Sequence, residues 1–121
     1  MNESHLLGAS AEELAAGFLE SQGYCILHRN WTYGHKELDI VCTDGRLLVV
    51  VEVKARSGPI QYHPGELISS DKEKNLIDAS EQYLFHHRVR LPVRFDLMAV
   101  TKRNGKLDIE HFKDAFMPRV E

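Results

Sequence analysis

Residues 47–54 read Leu-Leu-Val-Val-Val-Glu-Val-Lys, and no other stretch limits the fold as tightly. Its five-residue apolar run is far short of a membrane span. The run is apolar on nearly both faces, which places it at the centre of a covered sheet rather than at a solvated edge. The charges come only at its end. Side chains alternate across a strand, so Glu52 and Lys54 share one face while Val51 and Val53 share the other.

The flanking sequence supplies the rest of an α/β pattern. A helix is expected over 10–22, with Ser10 and Glu13 as a capping box, Ala11, Leu14, Ala15, Phe18 and Leu19 as its apolar stripe, and Gly23 as its stop. A short strand over 25–28 and a polar loop through Asn30, Tyr33, Gly34 and His35 follow. Strands over 38–43 and 46–54 form a hairpin about a tight Asp44-Gly45 turn. A loop with Gly58, Pro59, Pro64 and Gly65 leads to a second helix over 70–85, capped by Ser70 and Glu73 and lined inside by Leu76, Ile77, Ser80, Tyr83 and Leu84. Strands over 93–101 and 106–111 turn at Asn104-Gly105. The order is α-β-β-β-α-β-β, a mixed β-sheet flanked by helices.

The 121 residues suit a single domain over 1–121, without repeats or linkers. The formal charge of -3 excludes a generally basic nucleic-acid protein. The halves differ, however: residues 1–53 carry three basic and eight acidic side chains, and residues 54–121 carry twelve and ten. A site where the halves meet can have strong local fields. Cys25 and Cys42 are too few for a disulfide scaffold and read as two buried thiols in strands. No signal peptide or membrane segment is visible, so a cytoplasmic location without membrane contact is expected.

The chemistry gathers at the end of the central strand. A tight turn at Asp44-Gly45 sets Asp39 near Val50, with Glu52 one same-face step beyond. Two carboxylates and one ammonium then converge in an apolar setting, where charge is costly unless paired or bound to a metal. The surplus negative charge calls for a hard divalent cation, Mg²⁺ or in its place Mn²⁺, which takes oxygen ligands. Lys54 would hold a phosphate oxygen or orient a water. Metal-assisted phosphodiester hydrolysis fits this set. The plainer alternative is a Glu52–Lys54 salt bridge at a strand end, with Asp39 beside a solvated loop.

Asp39, twelve intervening residues and Glu52-Val53-Lys54 resemble the (P)D…(D/E)xK motif of the restriction-endonuclease-like nucleases. More closely, the chain resembles the bacterial YraN family of small predicted endonucleases. The resemblance runs through AEELAAGFLESQGYCIL, KELDIV, VVVEVKARS, Lys72 and RFDLMAV, nearly the whole chain. It implies a restriction-endonuclease-like fold, metal binding by Asp39 and Glu52 with the Val53 carbonyl, and a catalytic Lys54. Archaeal Holliday-junction resolvases share a similar site layout with an extra Glu on the first helix. Glu12 is the candidate here, because it lies at the margin of the apolar stripe while Glu13 and Glu20 point away. Glu12 reads equally well as a first-turn acid favoured by the helix dipole. Lys72, in the first turn of the second helix, and Arg56, in the matched VVVEVKARS segment, are candidates for nucleic-acid phosphate. A solvated lysine accounts for Lys72 just as well. Where the family pattern has a Gly before the strand-two Glu, this chain has Lys36.

The sequence thus leads to an expected Mg²⁺-dependent endonuclease acting on DNA, branched or single-stranded, with a homodimer spanning its target. The alternative from another class is a catalytically inactive nucleic-acid-binding or assembly module on the same scaffold. The net charge favours that alternative, since it supplies no broad positive footprint.

Overall fold

The valine-rich segment forms β3 (Leu48–Ser57), the middle strand of a five-stranded sheet, in a computed structural model that describes residues 3–57 and 68–116. Before it run α1 (Glu3–Ser21), β1 (Cys25–Tyr33) and β2 (Lys36–Thr43); after it run α2 (Ser70–His87), β4 (Val93–Arg103) and β5 (Lys106–Phe116). The strands lie in sequence order. Only the β3–β4 pair is parallel, which is why a helix, α2, connects those two strands. The expected α-β-β-β-α-β-β order is the observed one.

The sheet is covered on both faces, as β3 requires. Val49 and Val51 pack with Ile40, Cys42 and Met98 against Ala15, Ala16 and Leu19 of α1. Leu48 and Val50 pack with Val41, Phe95, Leu97 and Ala99 against Leu76, Ala79 and Tyr83 of α2. Burying one such aliphatic side chain is worth about 2 kcal/mol. The four on β3 together outweigh the several kcal/mol needed to hold one charge in the same strand, so Glu52 can be buried there.

Several boundaries shift. α1 continues upstream through Ser10, so the expected capping box lies inside the helix. Leu14 is 38% exposed, and Ala16 takes its place in the contact. Gly23 ends the helix as expected, with φ +95° and a Tyr24 N–H donating to the Leu19 carbonyl. β1 runs on to Tyr33 and turns into β2 at Gly34-His35, so Asn30 and Tyr33 are strand residues. Asn30 adopts φ +53°, a left-handed conformation that asparagine tolerates, and this keeps the strand going where a loop was expected. Cys42 is buried but Cys25, at the start of edge strand β1, is exposed.

The Asp44-Gly45 turn is wider than two residues. Asp44 Oδ1 accepts from the N–H groups of Arg46 (2.8 Å) and Leu47 (2.9 Å), and pairing resumes only at Thr43 opposite Leu48. The register therefore moves two residues from the expected one. The loop expected around Gly58, Pro59, Pro64 and Gly65 lies outside the described residues. The α2 cap is Ser69 rather than Ser70; its hydroxyl accepts from the Lys72 N–H at 3.1 Å. At its other end α2 closes on Arg88, at φ 54° and ψ 42°. Glycine is the usual residue there, and a side chain in that region costs about 1 kcal/mol.

The matched RFD segment builds a buried ionic network under the end of α1. Asp96 is 1% exposed and accepts from Arg94 Nε and Nη2 at 2.8 Å each and from the Asp114 N–H at 3.0 Å, while His111 Nε2 lies 2.7 Å away. Arg94 also donates to the Tyr24 hydroxyl at 2.8 Å. Burial pushes the Asp96 carboxyl up, but the bonds from His111, Arg94 and the Asp114 N–H outweigh it and hold its pKa below the ordinary value. This stabilisation is complete above the unfolded carboxylate's pKa of about 4 and is lost as pH falls through the lower folded value. Asp96→Asn should therefore cost about 3 kcal/mol in urea unfolding at pH 7, with the gap to wild type narrowing below about pH 4.

Candidate metal centre

β2 and β3 part company where the chemistry sits. Their ladder runs from Thr43–Leu48 to Ile40–Val51 and goes no further. One more step would set Asp39 against Glu52. Instead the Asp39 side chain enters the ladder, and its Oδ2 accepts from the Val53 N–H at 2.9 Å. Leu38 packs with the α2-side core and Ile40 with the α1-side core, so the alternation of faces breaks at Asp39. Held at that break, Asp39 meets acids from both faces of the sheet.

On the α2 side is Glu52, 3% exposed. It follows Leu48 and Val50 at two-residue intervals on the face that α2 covers. Its Oε2 atom is buried and receives no hydrogen bond among the described residues. The Lys72 ammonium stands 3.2 Å from that oxygen, at ion-pair distance but outside hydrogen-bond geometry. Lys72 is brought there by the Ser69 cap, which starts α2 beside β3.

On the α1 side, Glu12 and Glu37 join Asp39; one carboxylate oxygen from each lies within 4.8 Å of the others. Asn30, with its amide nitrogen turned toward the cluster, donates to Glu12 at 3.1 and 3.3 Å and to Glu37 at 3.2 Å. The left-handed turn of Asn30 in β1 aims it there.

The electrostatics follow from crowding. Burial, then the hydrogen bond and charge of Glu52, push the Asp39 carboxyl up to about 7, against the pull of the Val53 N–H and Lys72. Burial and Asp39 also raise Glu12 and Glu37. A cluster of this kind favours either protons or a cation.

Of the residues singled out in the sequence, Asp39, Glu52, Glu12, Lys72 and the Val53 backbone come together. Lys54 lies half-buried on the Glu52 face of β3, with no ion pair or hydrogen bond among the described residues. The plain Glu52–Lys54 salt bridge is therefore not formed; Lys72 stands at Glu52 instead. Arg56 is exposed on the same strand, also without a partner among the described residues. Lys36 forms an ion pair with Asp78 of α2, tying down the start of β2. Glu37 and Asn30 were not foreseen as site residues. An acid two places before Asp39 on one strand was the available signal for Glu37; nothing local marked Asn30.

The donor set suits a hard cation. It consists of carboxylate oxygens, one of them buried without a hydrogen-bond donor, beside a half-buried ammonium.

Comparison with known proteins places the chain in a family. A UPF0102 protein of Bacteroides thetaiotaomicron is 42% identical over 118 residues, 98% of each chain. One from Flavobacterium psychrophilum is 39% identical over 116 residues, covering 96% of this chain and 98% of that one. One from Syntrophotalea carbinolica is 41% identical over 111 residues, covering 91% and 90%. Among solved structures, the Archaeoglobus fulgidus Holliday junction resolvase Hjc superposes with a TM-score of 0.58 at 20% identity, over 94% of this chain and 78% of that one. That likeness is one of fold, and the fold is the restriction-endonuclease-like one. Residues 11–100 match the profile of the uncharacterised protein family UPF0102, and the chain belongs to that family.

Proposed function

We propose that this chain is a single-domain, divalent-metal-dependent nuclease that hydrolyses DNA phosphodiester bonds. The observation that carries the reading is the meeting of Asp39 and Glu52 at the parting of β2 and β3, where, among the described residues, a buried Glu52 oxygen receives no hydrogen bond and Lys54, two places on along β3, has no partner. The likeness to a Holliday junction resolvase supports it at the level of fold.

Asp39 and Glu52 would hold the cation, Mg²⁺ or Mn²⁺. The Val53 carbonyl joins them, because an extended residue turns its N–H and C=O to the same side of the strand and the Val53 N–H faces Asp39. Such a cation supplies charge neutralisation at phosphate and lowers the pKa of water. Glu12 and Glu37 add negative charge from the α1 side. Lys54 keeps its ammonium unspent for the phosphate oxygens or the attacking water. Lys72 serves as the countercharge of Glu52, and with a cation held there its ammonium would be free to meet phosphate. Arg56, exposed further along β3, meets the DNA backbone. The competing reading, an inactive binding module, draws on the Lys72–Glu52 pair as a finished structural contact.

Three measurements test these assignments. Mg²⁺ should raise the melting temperature of wild type, by about 2.7 kcal/mol of stability at a hundredfold excess over Kd. Glu52→Gln should abolish that gain and leave the metal-free protein no less stable, because one of two crowded acids is neutralised. Equal Mg²⁺ stabilisation in both proteins would remove Glu52 from the metal site.

The gain should also depend on pH. An acid whose folded pKa is raised loses stability as pH climbs from about 4 toward about 7, where the folded carboxyl finally ionises. A cation must displace that Asp39 proton, so calorimetry should show tighter Mg²⁺ binding at pH 8 than at pH 6. Asp39→Asn should flatten this dependence.

The lysines should separate by role. Lys54→Met should slow single-turnover cleavage roughly 10²-fold while DNA affinity in Ca²⁺ changes less than tenfold. Lys72→Met should instead tighten metal binding severalfold, since it deletes a rival cation at Glu52. Unchanged metal affinity in Lys72→Met, together with wild-type cleavage in Lys54→Met, would favour the inactive module.

A further inference from the structure

The C-terminal end of α2 carries a second surface, away from the acids. Phe85 is 78% exposed and lines an open groove of about 570 Å³ together with His86, Arg88 and Arg90. Neither arginine has an ion-pair partner among the described residues. The aromatic surface continues past the groove. The rings of Phe85 and His86 are 5.7 Å apart, those of His86 and Tyr33 are 6.0 Å apart, and Tyr33 and Trp31 are parallel to within 7° at 6.5 Å. Tyr33 is 43% exposed. Its neighbour Thr32 pairs with Glu37, and side-chain alternation turns both toward the opposite face of the sheet from the row.

We infer that this row is a binding surface for single-stranded nucleic acid, with unstacked bases on Phe85 and Tyr33 and the phosphate backbone against Arg88 and Arg90. Open ring faces offer little to a duplex, whose bases are already stacked, but suit the exposed faces of a single strand. Two unpaired guanidiniums beside the rings supply the complementary charge on a chain whose net charge is -3. The cap geometry gives independent support. Arg88 holds a left-handed conformation in which glycine would be unstrained, so its side chain is kept at a cost to the helix. The inference deepens the nuclease reading by naming the strand structure the chain grips.

The test is binding of fluorescein-labelled oligo(dT) and of a blunt hairpin duplex, followed by anisotropy in EDTA. Phe85→Ala should weaken oligo(dT) binding roughly tenfold and leave duplex binding unchanged. Arg88→Gly should raise the melting temperature and yet weaken oligo(dT) binding, with the salt slope falling by about 0.7. Arg90→Gln should lower the slope similarly. If wild type ignores oligo(dT), or if Phe85→Ala and Arg88→Gly bind it as wild type does, the inference is overturned. A Phe85→Ala change that turns a sedimenting dimer into a monomer at unaltered oligo(dT) affinity also overturns it, and makes the patch a protein interface. Because no cleavage is scored, a chain that grips oligo(dT) through these residues but never cuts DNA sinks the nuclease reading alone.

Discussion

One hydrogen bond determines where this sheet opens. By accepting the Val53 N–H, the Asp39 carboxylate does what a backbone carbonyl of β2 would otherwise do. The two strands can then separate without leaving that donor buried and unpaired, which would be expensive. The break in β2 alternation, the meeting of Asp39 with Glu52 and the access of Glu12 from α1 all depend on that substitution. A leucine or alanine at this position would close or strand the ladder, and the acids would lose their common point.

The acid cluster is tolerable because the frame around it is over-determined. β3 is pinned by β4 along ten consecutive pairs, from Leu48–Val93 to Ser57–Lys102, and by a helix on either face. A strand held that firmly can carry a buried carboxylate that helps nothing in folding. Lys72 and shared protons ease the repulsion, but neither satisfies the Glu52 oxygen. Frustration of this local kind, in a fold otherwise consistent at every level, is where function is sought.

The sequence made the frame readable because β3 admits only one environment. A strand apolar on both faces fixes the centre of the sheet, and α2 between β3 and β4 fixes their parallel pairing. Asn104 and Gly105 mark their turn correctly, both with positive φ. The register of β2 against β3 departs from that of a two-residue turn because Asp44 caps a wider turn through two N–H groups, a side-chain effect that the dipeptide alone does not reveal. β1 outruns its expected length because Asn30 bends the strand without ending it. Within the site, Asp39 and Glu52 were legible as charges in apolar strands. The partner of Glu52 was not: Lys54 is two residues away, yet the contact falls to Lys72, which the Ser69 cap delivers from twenty positions further on.

α2 therefore links the two proposed sites along its length. Lys72 stands at its first turn beside Glu52, and Phe85 at its last. Thirteen residues of helix separate them along the chain, a rise of about 20 Å. A stacked duplex strand rises roughly 3.4 Å per nucleotide, so a strand with unstacked bases covers that span in fewer than about six steps. On the proposed readings the helix is a ruler: an oligonucleotide too short for this span reaches the rings or the acids but not both, and a longer one engages both at once.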